Sequence, residues 1–185
     1  MGFAQPQNRE FFISAKARGV ALPASGLARD LLIQQSLNPG VLSIGIMRLG
    51  GALDAYIVER PDGRHLLDLA PSGSAHGPDF AKFASALHHH SVLAVDPSEI
   101  TREPRFSTAR TIWSHRFEQI PAPMGMAISR HLADEGPLTL HEICSSINGP
   151  RNPVGVVLAM LCADQVELVD ELSQLTSHTR FRSRS

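Results

Sequence analysis

Two β-rich runs, Leu53–Glu59 and Arg64–Leu69, flank the turn Pro61-Asp62-Gly63, and this hairpin constrains the fold more than any other stretch. Proline presets φ, aspartate bonds its own backbone and glycine accepts positive φ, so the two runs are turned antiparallel. Residues farthest from the turn then meet at one end, which brings Asp54 and Asp68 together at the far end of the hairpin. A lone hairpin is marginal in water, so further strands or a helix must cover it.

The neighbouring sequence supplies them. Ser25 is a helix N-cap, the apolar Leu27, Leu31 and Leu32 follow on one side, and Asn38-Pro39-Gly40 stops the helix near Leu37. Val41–Leu49 alternates toward a strand, and Gly50-Gly51 turns the chain into the hairpin. After the loop Pro71–Gly77, a helix is expected over Pro78–His89 and a short buried strand over Val92–Val95. An arginine-rich helix follows over Thr101–Phe117. Helix, three strands, helix, strand, helix describes an α/β domain over residues 25–119, preceded by a polar arm over 1–24.

The pattern changes after Ile120-Pro121-Ala122-Pro123. Met124–Ala133, Leu140–Ile147 and Val154–Leu161 are three short helical patterns, with Thr139 placed to cap the second. Val166–Val169 and the polar tail can form the strands of a wing, giving a small winged helix-turn-helix domain over 123–182. The third helix is nearly all apolar, with only Arg151 and Asn152 at its start, and reads as a buried or partner-docking helix rather than one that reads DNA.

Hydrophobic residues make up 43% of the 185 residues and charged ones 19%, enough apolar surface for a core of this size. Net charge is −1, so contact with nucleic acid must come from local patches. Arg102, Arg105, Arg110 and Arg116 form one candidate phosphate-contacting surface, with Arg151 a further contact. Arg180, Arg182 and Arg184 in the tail can also touch phosphate without sequence preference. No apolar run nears the length of a membrane span, no secretory leader pattern opens the chain, and Cys144 and Cys162 have no metal-ligand spacing. A cytoplasmic protein with no membrane partner is expected.

Metal-dependent phosphodiester cleavage gives the two aspartates a chemical reading. Nucleases of the PD-(D/E)XK kind place an Asp at one strand end, a second acid in the next strand, and a Lys two residues later. Mg²⁺ takes hard carboxylate oxygens and keeps several waters, so two or three converging acids suffice to hold it. Ser25-Gly26-Leu27-Ala28-Arg29-Asp30-Leu31, Asn38-Pro39-Gly40-Val41, Leu53-Asp54-Ala55-Tyr56-Ile57-Val58, Arg60-Pro61-Asp62-Gly63-Arg64 and Leu67-Asp68-Leu69-Ala70-Pro71 follow one another in order. With Ile100-Thr101-Arg102-Glu103-Pro104-Arg105, they resemble the TnsA-type transposon endonucleases, over residues 22–182. The resemblance implies a restriction-endonuclease-like mixed sheet flanked by helices, a winged-helix second domain, and work on DNA beside a DDE-type transposase.

The departures from that family matter as much. Its helical Glu falls on Ala28 and its catalytic Lys on Ala70, while Asp54 and Asp68 keep the acid positions. Alanine offers neither charge nor proton, so the resemblance implies a site that has lost its function, with Mg²⁺ or Mn²⁺ held weakly by the two aspartates. Both alanine Cβ atoms are then expected to line one pocket with Asp54 and Asp68. Lys82 reads as a solvated helix lysine, and three consecutive histidines, His88-His89-His90, point too far apart on a helix to clasp one ion. Trp113 and Phe117, four apart, mark a core face. Two other functions remain open on the sequence: an active endonuclease with a rearranged site, and a winged-helix regulator whose first domain only assembles.

Overall fold

The computed structural model describes residues 11–49, 53–69 and 91–184. Helix α1 (Gly26–Leu37) begins at Ser25, whose hydroxyl accepts a hydrogen bond from the Ala28 N–H at 3.1 Å. Almost all of α1 is buried, its apolar side by Leu31, Leu32 and Leu37, its polar side by partners found far along the chain. Strands β1 (Ser43–Leu49), β2 (Leu53–Arg60) and β3 (Gly63–Asp68) form an antiparallel meander, and β4 (Ser91–Ala94) joins parallel to β3. The result is a four-stranded mixed sheet in the order β1-β2-β3-β4. Arg60 pairs with Gly63 across a two-residue turn, and Gly63 has φ +136°, which explains the glycine there.

The two faces of this sheet differ. Ile44, Tyr56, Val58 and Leu67 share one face by register and enter the same core as the buried side of α1. Ala55 and Leu66 alternate to the other face and are also buried.

The expected helix over Thr101–Phe117 is shorter, and a separate helical turn precedes it. Asp96 caps a single turn, α2 (Pro97–Ile100), and α3 (Arg105–Ser114) starts only after Pro104. Proline lacks the N–H a continuing helix needs and disfavours helical backbone at the residue before it, here Glu103. The expected helix over 78–89 lies outside the described residues.

The polar arm is corrected over residues 11–24. Phe12 is 1% exposed and stacks on Trp113 of α3 with ring centroids 5.3 Å apart. Phe12 also pairs with Ala21, and Ala17 bridges to Ile44 at the outer edge of β1. A segment that shields a sheet edge and fills a core position is part of the body.

In the second half, α4 (Ala122–Glu135) is followed by β5 (Leu138–Thr139), α5 (Leu140–Ser146), α6 (Pro153–Cys162), β6 (Val166–Leu168) and β7 (Arg180–Ser183). Thr139 and Glu142 form a reciprocal capping box that starts α5. The three strands make an antiparallel sheet in the order β5-β7-β6, so β5 adds a third strand to the two expected in the wing. Helix α6 is buried from Gly155 to Cys162 and packs on α1, α3, α4 and α5. The Cys162 thiol donates to the Ile112 carbonyl at 3.3 Å, so one core runs through both halves of the chain. Among the described residues no helix is long and apolar enough to cross a membrane.

Candidate functional site

The hairpin brings the two aspartates to one end, and the pleat then separates them. Tyr56 pairs with Leu67, so Asp68, one step further along β3, stands across from Ala55. The position of Asp54 is one step beyond Ala55 on β2, where its backbone pairs with Arg48 of β1. In a regular strand successive positions alternate between faces, so the positions of Asp54 and Asp68 belong to opposite faces of the sheet. Asp68 is 8% exposed, and its carbonyl accepts from the Val95 N–H at 2.7 Å, which fixes the end of β3 beside β4.

Ala28 is 3% exposed and belongs to the apolar core that α1 shares with Tyr56, Val58 and Leu67. By register Asp68 belongs to the other face of the sheet from Leu67. Ala70, Lys82 and His88–His90 lie outside the described residues. Among the described residues no three His, Cys, Asp or Glu side chains converge as a metal-binding group.

The arginines are mostly engaged within the chain. Arg110 makes a two-pronged ion pair with Asp30 of α1, Nε and Nη2 each 2.9 Å from a carboxylate oxygen, and lies over the Phe106 ring. The Asp30 hydrogen bonds push the Arg110 guanidinium above its already high value, so it stays charged throughout. Arg102 pairs with Glu99. Arg116 donates to the Trp113 carbonyl and lies over the Phe117 ring, with its guanidinium carbon 4.3 Å from the centroid. Arg105 is half-buried at the start of α3. Arg151, just before α6, is exposed and reaches Gln119 at 3.5 Å. Positions 105 and 110 differ by about 140° around a helix, so these residues do not make one basic stripe. Arg102, Arg110 and Arg151 are the exposed cations of the set, Arg110 with its guanidinium tied to Asp30.

Arg182 and Arg184 of the tail are similarly committed, while Arg180 is exposed. Arg182 Nε lies 2.6 Å from Glu167, and Arg184 Nη1 lies 3.0 Å from Asp164 and 3.1 Å from Glu167. This network includes a residue that sequence reasoning passed over. Lys16 is buried, donates to the Asn38 carbonyl at 2.7 Å and sits 3.6 Å from Asp164. The one available signal was its rarity: the chain has two lysines against 15 arginines.

No protein-family model, curated protein or solved structure matches the chain.

Proposed function

We propose that the chain is a TnsA-like subunit of non-catalytic type, with a restriction-endonuclease-like first half and a winged-helix second half. It serves DNA transposition by assembly and phosphate contact rather than by cleavage. The family assignment rests on the ordered motifs from Ser25 to Arg105. It is supported by a helix before a three-stranded meander, a parallel fourth strand, and a later unit of three helices with a three-stranded sheet. The single observation that carries the non-catalytic reading is Ala28, buried among apolar core side chains at the position where the resemblance places a carboxylate.

The winged-helix regulator has less support, because α6, the helix that would enter a major groove, is buried against α1 and α3. DNA contact then falls to phosphate, through exposed cations such as Arg102 and Arg151. Binding of the purified chain to duplex DNA is expected to be weak, indifferent to sequence and steeply salt-dependent. Arg102→Ala with Arg151→Ala should flatten the plot of log affinity against log salt by about 2 in slope, roughly one unit for each lost phosphate contact. An unchanged slope would put the contact elsewhere. Preference for one operator-like sequence would replace the proposal with the regulator.

A further inference from the structure

We propose that residues 11–21 are a strap that undocks as a unit from the β1 edge and the α3 face, with Lys16 as its latch. Three attachments hold it, besides the surface ion pair of Arg18 with Glu59 of β2 at 2.9 Å. Phe12 stacks on Trp113 at an interplanar angle of 10°. The backbone seam consists of Arg18 N–H to the Ile44 carbonyl and Ile44 N–H to the Lys16 carbonyl, each 2.8 Å. The third is the Lys16 side chain, 3% exposed, whose ammonium is driven between four other segments.

Those segments surround the ammonium with few charges of their own to spare. The C-terminal end of α1 offers the Asn38 carbonyl, and the turn after α6 offers Asp164. Glu167 of β6 and Arg184 just past β7 complete the set. Arg184 is closer to Asp164 than Lys16 is, at 3.0 Å against 3.6 Å, and it shares Glu167 with Arg182. The two carboxylates therefore serve three cations, and Lys16 has the loosest pairing. Elsewhere in the strap Phe11, Ile13 and Val20 face outward and are exposed, while Ala21 is fully buried.

Burial outweighs the pairing at both ends of this contact. It pushes the Lys16 ammonium down to about 8 from 10.5, and it pushes the Asp164 carboxyl up. An undocked Lys16 regains the ordinary value, so the docked strap binds the proton more weakly than the free one. Docking is strongest above pH 10.5 and loses that contribution as pH falls through 8, which leaves the latch at its loosest at neutral pH. The whole span corresponds to about 300-fold in the docking equilibrium, of which about tenfold falls between pH 7 and 9. Release uncovers the Ile44 N–H and carbonyl at the β1 edge and one face of the single tryptophan.

Amide hydrogen exchange on the full chain reads this directly at Arg18 and Ile44, whose N–H groups bond across the seam between the strap and β1. Their protection should be lower than that of the α6 amides and should rise about tenfold from pH 7 to 9 after correction for intrinsic exchange. Lys16→Met removes the titrating group while leaving Asp164 paired with Arg184, and should flatten that pH profile. Strap amides protected as well as those of α6 would overturn the proposal, as would a pH profile that Lys16→Met leaves unchanged. Should the variant not fold, the wild-type profile decides alone: a flat one refutes the latch.

Discussion

Phe181→Ala is expected to cost the chain about 3–5 kcal/mol, the range for truncating a buried aromatic ring to a methyl group. Phe181 is fully buried in β7, the middle strand of the second sheet, where it pairs with Leu138 of β5 and Leu168 of β6. Helix α4 packs on the same strand, so no neighbour is placed on a flexible surface from which to fill the cavity. The effect should not stay in the second half. Helix α6 carries the core from this sheet to α3 and α1, so both halves should melt in one transition at a lower temperature. Trp113 fluorescence from α3 and far-UV circular dichroism from the whole chain should give coincident curves in the variant. Loss of ellipticity before any change at Trp113 would mean that the second half melts by itself.

Ala28→Glu, which installs the helical carboxylate of the TnsA-type endonucleases, is expected to destabilise by about 3–5 kcal/mol because it buries a charge without a partner. Ala28 packs among apolar side chains, and the nearby acid on α1, Asp30, already occupies Arg110. The new carboxyl should stay protonated well above its usual range. Combining it with Ala70→Lys is therefore expected to weaken the fold without gaining Mg²⁺ affinity, contrary to what the motif resemblance alone implies. Thermal melts and Mn²⁺ titration of the single and double variants test this. Wild-type stability with a new micromolar Mn²⁺ site in the double variant would mean that position 28 faces the acids after all.

Local chemistry made most of the architecture legible in the sequence. The Pro61-Asp62-Gly63 turn, the Ser25 and Thr139 caps, and the apolar run of α6 each act within a few residues, and the corresponding elements are present. The strap was not legible, because a short polar stretch resembles an arm until Phe12 meets Trp113 a hundred residues away in the chain. The Asp30–Arg110 pair was hidden for the same reason, and with it the fact that Arg110 is already engaged. Pro104 is a helix breaker inside the expected Thr101–Phe117 helix, so Arg102 does not share a helix with Arg105 and Arg110.

The separation of Asp54 from Asp68 is a different kind of lesson. A two-residue turn pairs Arg60 with Gly63 and thereby fixes every later pair in the hairpin. Parity along β2 and β3 was therefore contained in the loop length, and only the end at which the acids meet was read. Sharing an end of a hairpin is not sharing a face.

The account stands or falls on whether this sheet holds a working metal. Supercoiled plasmid incubated with the purified chain and Mg²⁺ or Mn²⁺, alongside calorimetric titration of Mn²⁺, tests it most directly. The expected result is no nicked product beyond the metal-free control and no Mn²⁺ site tighter than about millimolar. Metal-dependent nicking together with a micromolar site, both lost in Asp68→Ala, would contradict it and establish an active endonuclease.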